Sequence, residues 1–128
     1  MAFERDTRQR RMIQSVFEAA NRPLSTEEVL SGAQRGGVRV SMATVYRFIR
    51  SMVDEDSLSV VELPGTVSLY ELAGKGHHHH FSCVRCQRVY EIEGCVSLDD
   101  LRLPNGFRPL THDVTISGAC ASCIAKAS

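Results

Sequence analysis

The sequence predicts an α+β fold in two parts: a helical first half closed by a β-hairpin, and a smaller α/β second half. Three observations carry that expectation. Apolar residues recur at helical spacing as far as Val53, then give way to short β-type runs from Leu58 onward. The run "AGKG" at 73–76 is small, flexible and free of apolar anchors, which suits a hinge. Beyond it, four histidines and two Cys-x-x-Cys pairs crowd a segment too short for a large core. The expected parts are 1–72, a hinge at 73–76, and 77–128.

The first helix is expected over 7–20, where Met12, Ile13, Val16, Phe17 and Ala20 share one side and Asn21-Arg22-Pro23 stops it. A second starts at Ser25, because Glu28 three residues on completes a capping box. Val29, Leu30 and Ala33 form its apolar face, and Gly36-Gly37 ends it. A third starts near Ser41, a good N-cap, with Val45, Phe48, Ile49, Met52 and Val53 as its buried stripe. Strand-like runs at 58–62 and 67–71 flank Pro64-Gly65 and read as a hairpin. Three helices followed by a hairpin is the winged-helix arrangement. In the second half, strands are expected at 79–83, 88–92 and 112–117, with a short helix over Val96–Leu101.

The composition, 43% hydrophobic and 23% charged, is that of a soluble globular chain. No apolar run approaches the roughly 20 residues of a membrane span. The charged start "MAFERDTRQRR" is followed by no apolar segment, so no signal peptide is expected and the location is expected to be cytoplasmic. Five cysteines in such a chain point to metal or redox chemistry, not to a disulfide framework. The net charge of zero hides an uneven distribution. Residues 35–50 hold Arg35, Arg39, Arg47 and Arg50 with no acid, and the first eleven residues hold four arginines, Arg10 among them. A basic face for nucleic acid is therefore compatible with a neutral total.

The exposed side of the third helix carries Ser41, Thr44, Tyr46, Arg47 and Arg50. Arginine pairs with guanine edges or phosphates, hydroxyls reach either, and a tyrosine ring packs on thymine methyls. A polar helix face alone is more often merely solvated. The preceding helix, the basic balance and the hairpin favour a DNA-reading helix.

Cys83-x-x-Cys86 and Cys120-x-x-Cys123 are spaced as two zinc knuckles. A closed four-cysteine site is structural and leaves no position for catalysis. The rival, a thioredoxin-like redox pair, lacks a preceding βαβ pattern. Cys95 stands alone: a small buried side chain is the plain reading, and a ligand or redox thiol the alternative.

His77 to His80 lead into the Cys83 strand, where alternate residues face opposite sides. His77 and His79 therefore point one way, His78 and His80 the other, and the tetrad can serve two metal sites. Glu71 ends the hairpin before the hinge, and Glu91 follows Cys86. An ion shared by Glu71, His78, His80 and Glu91 would tie the two halves together. His112 opens the last strand and is an open choice between ligand and structural side chain. Zinc, iron(II) and manganese all accept imidazole and carboxylate.

With these residues in place, the chain resembles the ferric uptake regulator family of metal-dependent transcription regulators. The resemblance rests on "TRQRRMI" (7–13), "SMATVYRFIR" (41–50), "YELAGKGHHHHFSCVRCQRVYEI" (70–92), "GFRPLTH" (106–112) and "CASC" (120–123). It implies a homodimer on palindromic double-stranded operator DNA, with winged-helix domains that bind DNA and a C-terminal dimerisation domain. It implies structural zinc on the four cysteines, and a regulatory divalent ion, Zn(2+), Fe(2+) or Mn(2+), on Glu71, His78, His80 and Glu91. It implies a second site on His77, His79 and His112, completed by an acid for which Asp99 is the best placement. Pro23 stands where many members carry a histidine for the junction metal, which argues against peroxide sensing. His79 replaces an aspartate of many iron-type members, which leans toward zinc. The expected function is a repressor of metal-uptake genes. The alternatives are a zinc-ribbon adaptor for a protein partner without DNA binding, or a peroxide-sensing member of the same family. A zinc enzyme is disfavoured, because neither HExxH nor the HxE…PCxxC deaminase signature is present.

Overall fold

The computed structural model describes residues 2–74 and 76–127, with side chains described for 6–74 and 76–126. Lys75, inside the expected hinge, lies outside the described residues. The chain divides into two compact units, residues 1–75 and 76–128.

In the first unit, α1 (Ala2–Ala20) begins earlier than its apolar stripe does. Ile13 and Phe17, one turn apart, are 0% and 1% exposed. Asn21 ends the helix in the left-handed region at φ 50°, a conformation asparagine tolerates. α2 (Thr26–Arg35) has the expected capping box. The Glu28 amide donates to Ser25 Oγ (3.2 Å) and the Ser25 amide to Glu28 Oε1 (3.1 Å). Arg22 clamps the same glutamate at 2.6 Å. α3 (Met42–Asp54) is capped by Ser41, whose Oγ accepts from the Thr44 amide. Its buried residues are Val45, Phe48, Ile49 and Met52; Val53 is half-buried.

The hairpin follows as β1 (Leu58–Val61) and β2 (Leu69–Leu72), antiparallel with Leu58 opposite Leu72. Leu24 adds a bridge to Tyr70, with backbone bonds of 2.8 Å in both directions. The link between α1 and α2 is thereby stitched to the wing. Leu24, Leu58 and the stripes of all three helices form one core. Each large apolar side chain buried there stabilises by roughly 1.5–3 kcal/mol, so this unit holds itself together.

The second unit is a three-stranded sheet in the order β4-β3-β5. β3 (His79–Cys83) runs antiparallel to β4 (Val89–Ile92) and parallel to β5 (Thr115–Gly118). A short helix, α4 (Ala121–Ala127), follows. It did not figure in the expectation, because seven residues that open on a cysteine knuckle show no apolar stripe. The helix expected over Val96–Leu101 does not form. The Asp99 amide is taken by the Ser97 hydroxyl (3.2 Å), and the Leu101 amide closes one turn on Leu98. Local side-chain bonding of this kind competes with helix.

The burial in this unit is meagre. Among its described residues only Cys83, Val89 and His79 are buried, while Val96, Leu101, Leu103, Phe107, Leu110 and Ile116 lie exposed. A unit so poor in core needs staples or a covering surface.

Candidate metal centres and reading helix

The four cysteines come together. Cys83 ends β3, and the turn to β4 carries Cys86, with Gln87 at φ 64° bonding back to the Cys83 carbonyl. Cys120 follows β5 and Cys123 lies in the first turn of α4. The Cys83–Cys123 and Cys86–Cys120 sulfurs are 3.7 and 3.8 Å apart. A disulfide needs about 2.05 Å. The edge of a tetrahedron with zinc–sulfur arms of about 2.3 Å is roughly 3.75 Å, so the sulfurs are spaced as zinc ligands. The backbone amide of Cys86, followed by that of Cys120, holds the Cys83 thiol down to about 5. Cys123, held by the Cys120 sulfur, is pushed up to about 12. Four thiolates share this small volume comfortably only around a cation, and the donor set fits zinc.

The histidine tetrad splits by strand parity as expected. His79 is buried at 3% exposure and faces His77 and His112, with ring centroids 4.5 and 5.0 Å away. The His77 and His112 Nε2 atoms are 3.1 Å apart. Burial, then the neighbouring His77 and His112, lowers the His79 pKa. The fourth member of this group is Cys95, not Asp99. Its sulfur lies 3.0 Å from His112 Nε2 and 3.3 Å from His79 Nε2. Asp99 is exposed and caught in the local turn with Ser97. The missed signal was distance along the chain: Cys95 lies three residues past β4, which hydrogen-bonds to the strand that carries His79.

His78 and His80 take the other face, with rings 4.9 Å apart and half-buried. Glu91 sits opposite His80 in the β3–β4 register. Glu71 stands on β2 of the first unit and is 4% exposed.

On α3 the stripe that faces the core leaves Ser41, Tyr46, Arg47 and Arg50 exposed and Thr44 half-buried. Tyr46 is 45% exposed, and Arg50 reaches its hydroxyl at 3.5 Å. Arg47 lies 4.0 Å from Asp6 on α1. Arg10 pairs with Glu55, the C-cap residue of α3, so one of the expected DNA contacts is engaged within the unit. No helix of the described residues is long and apolar enough to cross a membrane.

Residues 4–117 match the Ferric uptake regulator family. A Ferric uptake regulation protein of Neisseria meningitidis is 31% identical over 118 residues, 89% of this chain and 82% of that protein. A Zinc uptake regulation protein of Mycobacterium tuberculosis is 27% identical over 124 residues, covering 93% and 94%. Among solved structures, a zinc-bound manganese uptake regulator has a TM-score of 0.72 at 22% identity, over 88% of this chain and 87% of that one. FurB from M. tuberculosis, described as a zinc uptake regulator, has a TM-score of 0.53 at 28% identity, over 93% and 95%. The match runs from the first helix into β5 and the fold agrees with it on both sides of residue 75, so the chain belongs to the ferric uptake regulator family.

Proposed function

We propose that this chain is a metal-dependent, sequence-specific DNA-binding transcription regulator, a cytoplasmic repressor of metal-uptake genes. It acts as a homodimer on double-stranded operator DNA. Residues 1–72 are the reading domain, 73–76 the hinge and 77–128 the dimerisation domain. The observation that carries this reading is α3: its apolar stripe is locked in a core, and its outer face presents Tyr46, Arg47 and Arg50 to solvent. Ser41 and Thr44 lie at the N-terminal end of that helix, and Arg10, at its other end, would join them on DNA. The exposed apolar side chains of the second unit support a covering partner, and a second copy is the simplest one.

Cys83, Cys86, Cys120 and Cys123 would hold structural zinc. Glu71, His78, His80 and Glu91 would hold the regulatory ion, zinc, iron(II) or manganese(II), which supplies the positive charge these donors share. Such an ion shifts a conformational equilibrium only by its difference in affinity between states. The state selected is the dimer whose two α3 helices meet successive major grooves, about 34 Å apart.

The test is operator binding titrated with each ion, before and after His78→Ala with His80→Ala. Loss of metal dependence in the double variant is expected, and unchanged dependence rules the reading out. No mobility shift with any promoter, despite full metal loading, would favour the zinc-ribbon adaptor.

A further inference from the structure

The resemblance implies a metal site on His77, His79 and His112; we propose that the Cys95 thiolate, and not an acid, is its fourth ligand for a zinc-class ion, and that a hydroperoxide empties the site by oxidising Cys95. The site lies wholly within the second unit. It uses neither Glu71 nor the hinge, so it stands or falls apart from the regulatory reading above.

The geometry comes first. One ligand atom from each of the four residues lies within 4.8 Å of all the others. The sulfur is 3.0, 3.3 and 3.7 Å from the Nε2 atoms of His112, His79 and His77. A tetrahedral site with Zn–N near 2.0 Å and Zn–S near 2.3 Å has edges of roughly 3.3–3.6 Å. The observed separations bracket that range. Three different segments supply the donors: the approach to and start of β3, the loop after β4, and the lead into β5. The sheet register fixes those segments side by side, so the cluster is not an accident of one flexible loop. A hydrogen-bonded knot of buried imidazoles is the competing account. It explains His79, but not why exposed Cys95 and exposed His77 converge on the same point.

The ring of His79 adds a consequence. The Val114 amide donates to its Nδ1 at 3.2 Å, which places the ring proton on Nε2. Ligation through Nε2 needs that proton on Nδ1, so ion binding exchanges the Val114 contact for a metal bond.

The thiolate sets the chemistry of the site. Thiolate favours zinc over harder ions, and it is also the nucleophile of the set. Cys95 is exposed, so a small oxidant reaches it. The sulfur attacks the terminal oxygen of the hydroperoxide; an S–O bond forms and the O–O bond breaks. Sulfur loses two electrons, and the peroxide is reduced to hydroxide or alkoxide. The product is a sulfenic acid, which carries the hydroperoxide's proton. Sulfenic acid is a poor ligand, and three imidazoles alone hold the ion less tightly.

Full-length protein with zinc on the four-cysteine site is titrated with cobalt(II). Wild type is expected to show sulfur-to-cobalt charge transfer in the near ultraviolet, with intense tetrahedral visible bands. Cys95→Asp keeps cobalt but loses the charge-transfer band; Cys95→Ser loses the band and binds more weakly. Identical spectra for wild type and both variants, or no second cobalt in wild type, overturn the ligand assignment. Hydrogen peroxide is then added to zinc-loaded protein. Wild type releases about one zinc per chain first, with one added oxygen on the Cys95 peptide, while Cys95→Asp retains its zinc. Equal zinc loss from both proteins, with oxygen on the four-cysteine peptides, overturns the oxidant-labile reading.

Discussion

Arg10 of α1 is paired with Glu55, the residue that caps the C-terminal end of α3. The pair joins the first helix to α3, and Arg10 is what holds the Glu55 carboxyl below its ordinary range. It also occupies a guanidinium that the sequence offers to DNA. Glu55→Gln therefore frees the Arg10 guanidinium at the C-terminal end of α3. Affinity for random duplex is expected to rise, and the slope of log affinity against log salt to steepen by about one. Anisotropy titrations at several salt concentrations check this. An unchanged slope means Arg10 does not approach phosphate.

Two glycines of the α1–α2 contact make opposite predictions. A Cβ on Gly32 would stand 2.7 Å from Val16 Cγ1, a branched side chain stiff at χ1 in a helix. A Cβ on Gly36 would crowd the sulfur and terminal methyl of Met12, at 2.6 and 2.7 Å, which can swing away, and would touch the Ala33 carbonyl at an ordinary 3.4 Å. Gly32→Ala is expected to destabilise the first unit by about 1–2 kcal/mol, overpacking outweighing the roughly 1 kcal/mol gained in helix propensity. Gly36→Ala should be close to neutral. Urea melts that follow helical circular dichroism separate the two, and equal midpoints would refute the packing argument.

Acid should empty the four-cysteine site late. Cys83 is held at about 5, below its ordinary value of 9.0, by amides that favour the thiolate. The stability this contributes is fully present above that ordinary value and disappears as pH falls through about 5. Protons compete with zinc for the same sulfurs. Cys123, pushed up to about 12, is the sulfur protons claim first, and Cys83 is the last to yield, so zinc release followed with a chromogenic chelator is expected to be complete only once the pH falls to about 5. Release complete at pH 7 would show that the amide bonds to Cys83 do not survive in solution.

Much of this was legible in the sequence, for identifiable reasons. Ser25 with Glu28, and Ser41 ahead of an apolar stripe, are local signals, and local bonds answer them in the structure. The histidine parity was legible because β-strand period is rigid: His79 is buried with His77 beside it, while His78 and His80 face together. Cys95 was not legible as a partner of His112, because nothing along seventeen residues signals that the chain returns. Asp99 is instead the acid that the resemblance, through an expected helix over 96–101, puts at this site. Its amide is bound by Ser97, in a segment where polar side chains win the backbone from helix. α4 is not legible, because its seven residues open on a knuckle and carry no apolar stripe.

Removal of zinc should unfold one unit and spare the other. The first unit buries a contiguous set from Ile13 through Phe17, Val29, Val45 and Ile49 to Leu58. The second has Val89 and little else that is both apolar and buried. One such side chain contributes roughly 1.5–3 kcal/mol, against about 10–16 kcal/mol of apparent binding energy for structural zinc in small domains. The metal term dominates in the second unit by several-fold. After strong chelation, amides tied into its sheet, such as His80 to the Val114 carbonyl and Cys83 to that of Arg88, are expected to lose hydrogen-exchange protection. Those of Val29 and Val45 in the first turns of α2 and α3 should keep theirs. Cys83→Ser should reproduce the pattern without chelator. Uniform loss of protection across both units would mean that the first unit draws its stability from the second. Its buried core argues against that, since each of its helices already packs against the others.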